Sequence, residues 1–269
     1  MSLELPISWP GAIQEGPPRW QVGAQISTMA GLRDGPGPSG LGRLACFCVR
    51  RGARRWCDPL LLTSQHVFAA QGASPGNPVF APNVSDVGSM LEIDPASLTP
   101  VAEVTGDGHD GVHWFAFPGE APRDFHVDCA TARLAAEQAE PQGDVAFRVG
   151  RAHPHDALSH RALPVRLLGV HTAPAGHVID VGATVERADG TLCPGTIVIR
   201  SRVGRPPVAT EGDSGALVVD RHDRAIGLLW GVHLTDPSLA YACHLLPALD
   251  RLGLVPSLRG ALANPQEEA

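Results

Sequence analysis

Glycine and proline interrupt this chain so often, 30 and 25 times in 269 residues, that a long regular element has little room to run. Glycine loses the most backbone freedom inside a helix or strand, and proline removes a main-chain donor. What is left between them are short runs rich in Val, Ile, Leu and Thr, the composition of strands joined by turns. The chain therefore reads as all-β.

Short strands are expected at 44–49, 59–63, 78–80, 88–93, 101–104, 111–117 and 124–134, with a turn-rich hairpin at 50–58. Residues 135–143 have the composition of a linker. Beyond it come 145–149, 163–170, 178–185, 195–201, 217–220 and 225–230, the last two flanking a hairpin connection at 221–224. Only 245–262 has helical spacing, with Leu245, Leu249 and Leu252 on one face and Pro247 in the first turn. The division that follows is an N-terminal arm of unassigned role (1–39, with one strand at 20–26), a first β lobe (40–137), and a second (138–269) closed by a C-terminal helix.

The formal charge of −7 and the lack of a basic stripe argue against a nucleic-acid partner. All 21 basic residues are arginine, which coding bias explains better than function does. No stretch reaches the roughly 18 apolar residues of a membrane span, and 1–19 lacks the regions of a secretory signal, so a cytoplasmic protein with reduced thiols is expected. Cys46 and Cys48 share one face of a strand, but no second close pair completes a tetrahedral site, so no metal and no cofactor are expected. The stretches 107–110, with His113 nearby, and 153–156, with His160 nearby, are rich in His and Asp and read as solvated loops.

Chemistry is concentrated in Glu211-Gly212-Asp213-Ser214-Gly215-Ala216, which runs straight into the apolar Leu217-Val218-Val219. Glycines let a backbone fold tightly around a hydroxyl and aim amide N–H groups at one oxygen, the arrangement a nucleophilic serine needs. Such a serine also needs a base. His66, delivered by the apolar Leu60-Leu61-Leu62 and the polar Thr63-Ser64-Gln65, is fixed at the end of a buried strand. A buried carboxylate must then orient the imidazole. Asp128, in an otherwise core-like stretch, fits that role, with Asp124 and Asp110 as alternatives.

These three segments, Leu-Thr-Ser-x-His-Val, Val-Asp-x-Ala-x-Ala-Arg-Leu and Gly-Asp-Ser-Gly, resemble the trypsin-like serine proteases of the chymotrypsin clan, in that clan's chain order. Bacterial members without disulfides are most similar, sharing a Tyr-Ala segment before the last helix, here Tyr241-Ala242. The resemblance covers about 40–254. It implies two antiparallel six-stranded β-barrels with a C-terminal α-helix, and a serine endopeptidase acting on a protein or peptide through an acyl-enzyme. Ser214 would be the nucleophile, His66 the base and Asp128 the orienting acid. The N–H groups of Gly212 and Ser214 would form the oxyanion hole, and Leu229, Trp230 and Gly231 would pair with the substrate.

Val208, six residues before Ser214, would lie at the base of the specificity pocket and implies an apolar or small preference rather than Arg or Lys. Asp213, which secreted relatives pair with a new N-terminus, is expected here to pair with an arginine such as Arg148 or Arg151. Two other readings stay open: a protease-fold module that binds or regulates without cutting, and a latent effector protease completed by an activating protein partner.

Overall fold

The structure, a computed structural model, describes residues 22–28, 41–53, 59–69, 72–80, 100–134, 147–154, 162–171, 173 and 175–256. The expected strand at 88–93, the linker at 135–143, most of the arm and part of the loop at 153–156 lie outside the described residues. Two sheets organise the rest. The first contains β1 (Gln25–Thr28), β2 (Gly42–Arg43), β3 (Cys46–Arg50), β4 (Leu60–Thr63), β5 (Pro78–Phe80), β6 (Ala102–Phe115), β7 (Arg123–Leu134) and β15 (Leu254–Pro256), in the order β15-β3-β4-β7-β6-β5-β1-β2. β2 and β3 are successive pieces of one bent strand. Leu44 N–H donates to Ala24 O (2.9 Å) on the β1 side and Ala45 N–H to Leu62 O (2.8 Å) on the β4 side, which closes six strands into a barrel.

The second sheet contains β8 (Arg148–Val149), β9 (Pro164–Leu167), β10 (Gly176–Glu186), β11 (Leu192–Ser201), β12 (Leu217–Asp220), β13 (Arg224–Val232) and β14 (Leu239–His244). Its order is β12-β9-β10-β11-β14-β13-β8, and a further β12–β13 pairing closes it. Each expected six-stranded barrel is thus present with one added strand, β15 on the first and the parallel β8 on the second. Two short helices complete the described part, α1 (Gln65–Ala69) and α2 (Leu245–Arg251), and neither is long and apolar enough to cross a membrane.

Alternation along the strands sorts side chains into three cores. Leu61 and Phe47 point into the first barrel with Ile26, Val67 and Phe68. Their neighbours Leu60, Leu62, Cys46 and Cys48 face the opposite way, into a core between the barrels that also takes Val127, Leu217, Val219, Leu228 and the helix residues Leu245 and Leu249. Val218, Ile197 and Val208 fill the second barrel. Cys46, Cys48, Cys129, Cys193 and Cys243 are free thiols, all buried in the inter-barrel core, where they pack as small apolar groups.

Three expectations are corrected. Residues 107–110 are not a loop but the middle of β6, paired in register from Gly108↔Ala130 to Phe115↔Arg123 after an irregularity at Val104/Gly108. Gly108 lies against the Gln65 side chain at the start of α1, where a Cβ would meet Oε1 at 1.8 Å and oblige that side chain to turn aside. The C-terminal helix stops at Arg251, because Gly253 turns left-handed (φ 62°) and sends Leu254–Pro256 back along β3. The strand of the arm is at Gln25–Thr28, later than expected, where it meets both β2 and β5.

Candidate active site

β4 ends at Thr63, and α1 begins two residues later, so His66 stands on a single helical turn anchored by Val67 and Phe68 in the first barrel. Ser64 Oγ donates to Leu229 O (2.9 Å), tying the start of this turn to β13 of the other barrel. β7 brings Asp128 beneath the imidazole. His66 N–H donates to Asp128 Oδ1 (3.2 Å), and Nδ1 lies 2.5 Å from Oδ2. Nδ1–H donates to the carboxylate, so the lone pair of the neutral ring is on Nε2.

The Asp128 side chain is fully buried, while that of His66 is 33% exposed. Burial pulls the His66 pKa down, but the hydrogen bond and charge of Asp128 more than offset it and hold the group above its ordinary value. Burial pushes Asp128 up, and its contacts with His66 together with the nearby Arg187 bring it below the usual carboxylate range. Of the three carboxylates considered in sequence, Asp128 is the one that touches His66.

The Ser214 turn is a set of local bonds. Asp213 N–H donates to Thr210 O (3.1 Å) and Ala216 N–H to Asp213 O (3.0 Å), while Gly212 and Gly215 take left-handed φ of 89° and 91°. Asp213 Oδ2 accepts from Thr210 N–H (2.9 Å) and its hydroxyl (3.0 Å). Oδ1 accepts from Arg43 Nε (3.1 Å) and Nη2 (3.0 Å). Arg43, not Arg148 or Arg151, is therefore the partner of Asp213. The reason is register: β2 passes beside the turn, with Arg43 N–H donating to Ser214 O (2.7 Å). Arg148 lies on β8, and Arg151 pairs with Glu120 over the Phe117 ring.

The same contacts bring Ser214 to the His66 turn. A Cβ on Gly42 would meet both Val67 Cγ2 (2.4 Å) and Ser214 O (3.0 Å), and one on Gly215 would meet Thr63 Oγ1 (2.3 Å) and Arg43 O (2.4 Å). Among the described residues no hydrogen bond joins Ser214 Oγ to His66, and none takes the N–H of Gly212 or Ser214. Such contacts commonly close only around substrate.

A cleft of about 770 Å³ opens beside His66, lined among others by Arg187, Trp230, Val232, His233 and Tyr241. Trp230 stacks on Tyr241 with ring centroids 5.3 Å apart and planes at 21°. Gly231 leaves open space at its Cα. Leu229 is buried, its N–H donating to Ala216 O and its C=O accepting from Gly215 N–H and Ser64 Oγ, so within its segment Trp230 is the residue that lines the cleft. Val208 is buried in the second-barrel core, its C=O 2.9 Å from His171 Nε2. Sequence reading missed Arg43 and Arg187 and considered Asp110 only as a rival acid. All three act through contacts between segments far apart in the chain, and none carries a local motif.

No protein-family model and no curated protein matches the chain in sequence. Solved structures match in fold. Protease A of Thermobifida fusca superposes with a TM-score of 0.51 at 16% identity, covering 88% of this chain and 98% of that one. A glutamic-acid-specific serine protease, described as using a histidine triad in substrate binding, gives 0.53 at 15% identity, covering 88% and 99%.

Proposed function

We propose that this chain, which has the two-barrel fold of the chymotrypsin-like serine proteases, is a serine endopeptidase. The observation that carries the reading is the buried Asp128 hydrogen-bonded to Nδ1 of a half-buried histidine, beside a serine on a glycine-flanked turn. An extended peptide would lie along Trp230 and Gly231, and Val208, six residues before Ser214, implies an apolar or small residue before the scissile bond. Ser214 Oγ attacks the carbonyl carbon as His66 Nε2 takes its proton, and the N–H groups of Gly212 and Ser214 receive the oxyanion, each worth about 3 kcal/mol of barrier. The imidazolium, balanced by Asp128, gives that proton to the leaving amine as the C–N bond breaks. Water then attacks the acyl-enzyme with His66 again as base, releasing the acid and restoring Ser214.

The internal Arg43–Asp213 pair supports an oxyanion turn that is set without an activating partner. A fluorophosphonate probe tests the reading. Labelling at Ser214, lost in Ser214→Ala and strongly reduced in His66→Ala, is the expected result. Folded protein that neither labels nor cleaves a proteome-derived peptide library would overturn it in favour of a binding module.

A further inference from the structure

The register of β6 and β7 sets Asp110 directly opposite Asp128, with Val112 opposite His126, so both carboxylates and His126 share one face beside His66. Two acids facing each other across a strand pair repel, and each weakens the other's ionised form. The fold answers with a cation from the other barrel. Arg187 stands on the turn between β10 and β11, which its own main chain closes through Arg187 N–H to Thr191 O (2.9 Å) and Gly190 N–H to Arg187 O (2.9 Å). Its Nη1 donates to Asp110 Oδ2 (2.7 Å), and its Nη2 donates to His126 Nε2 (3.0 Å) and lies 3.5 Å from Asp128 Oδ2. The guanidinium carbon is 5.1 Å from the Trp230 ring centroid, and Trp230 is held between the edge of His126 and the face of Tyr241.

We propose that Arg187 is a positioning residue of the active site: it fixes the Asp128 carboxylate against His66 and cancels the second carboxylate, Asp110, that strand register forces beside it. This rests on the serine endopeptidase reading. The Arg187 side chain is 19% exposed, two of its five N–H groups donate to Asp110 and His126, and its charge faces Asp128 at 3.5 Å, so its inner edge serves the site as a strut. His126 must accept from Arg187 through Nε2, which keeps that ring neutral; burial first, then Arg187, lower its pKa to about 4. The charges facing His66 are Asp128 from β7, Asp110 from β6 and Arg187 from the β10–β11 turn. The two carboxylates tighten its hold on the proton, and Arg187 loosens it.

The sign of each removal follows. Arg187→Met leaves two uncompensated acids, so the acid limb of kcat/KM moves to higher pH; Asp110→Asn moves it to lower pH. At the plateau, Arg187→Met loses on the order of 10–100-fold in kcat, because Asp128 is no longer held within an ångström of its place. Arg187→Lys keeps the charge, so its limb stays nearer wild type than that of Arg187→Met. The experiment is a pH profile of the three variants on a peptide substrate, with the His66 imidazole titrated by NMR in a Ser214→Ala background. Opposite displacements for the Arg187 and Asp110 variants support the proposal. A limb and a titration unmoved in both overturn it, even if the variants are less stable.

Should Arg187→Met fail to fold, Asp110→Asn decides alone: a move to lower pH supports the proposal and none overturns it. A wild type that neither labels nor cleaves defeats the peptidase reading, while the NMR titration still reports on Arg187.

Discussion

Replacing Arg43 by methionine removes the guanidinium from Asp213 while keeping most of the aliphatic stem. The side chains are 18% and 6% exposed, so this pair is largely shielded from water. Asp213 would keep the two donors from Thr210 but lose both bonds to Oδ1. Removing one partner of a buried pair costs about 3–5 kcal/mol, mostly for the charge left behind. The chain can meet that cost in two ways. If the turn holds, the whole penalty appears as stability, a drop of roughly 5–9 °C in Tm for a chain of this size. If Asp213 instead swings out to water, Gly212 and Ser214 move with it. An oxyanion donor displaced costs about 3 kcal/mol of barrier, more than a hundredfold in kcat.

Thermal melts and kcat on a peptide amide, read together with the rate of fluorophosphonate labelling, separate the two. Arg43→Lys retains a cation but not the paired Nε and Nη2 bonds, and should fall between. A methionine variant with kcat within threefold of wild type and an unchanged Tm would refute the reasoning.

Gly215→Ala should be more damaging than its size suggests. The residue sits at φ 91°, and its new methyl would lie 2.4 Å from the Arg43 carbonyl, a backbone atom with no freedom to move aside. Urea unfolding should show a loss above about 2 kcal/mol, and an unchanged midpoint would contradict the packing described. Acid should weaken the fold through His244, whose pKa burial lowers to about 4. The folded state keeps it neutral while the unfolded chain takes up a proton below its ordinary 6.5. Its contribution is complete above 6.5 and is lost as pH falls toward 4, by up to about 3 kcal/mol. The raised pKa of His66 acts in the opposite sense, adding stability below 6.5 that is lost as pH rises through the folded value. His244→Phe, which keeps the ring among Phe117 and Phe125, should flatten the fall in urea midpoint between pH 7 and 5; an unaltered slope would count against it.

Legibility followed the range of the forces. Ser214 and His66 could be read because the chemistry of each is written into its own few neighbours: glycines around the serine, a buried strand before the histidine. The barrels could be read because Gly and Pro leave only short β-branched pieces. The stretch 105–110 failed because two glycines and two acids imitate a loop, and only pairing with the deeply buried β7 makes it a strand. Once it is a strand, register alone sets Asp110 opposite Asp128, and no local pattern announces that. Leu229 was expected to pair with substrate along with Trp230 and Gly231, yet its main chain is taken up by Ala216, Gly215 and Ser64, contacts between distant segments that no local pattern marks.

The two arginines missed in sequence act in opposite directions across the same seam. Arg43 reaches from the first barrel to the turn that carries Ser214, and Arg187 reaches from the second barrel to the acid that serves His66. Each half of the proposed catalytic machinery is therefore held by a cation belonging to the other half. Ser64 to Leu229 adds a third tie at the same level. Sliding one barrel against the other by an ångström would loosen the oxyanion turn and the imidazole's acid together, so loss of either arginine should weaken what the other supports. Because these pairs are mostly shielded, salt should screen them little. The double variant Arg43→Met/Arg187→Met should then lose less activity than the product of the single losses, since the first break already frees the seam. Strict multiplicativity would mean that each barrel holds its own catalytic group without the other.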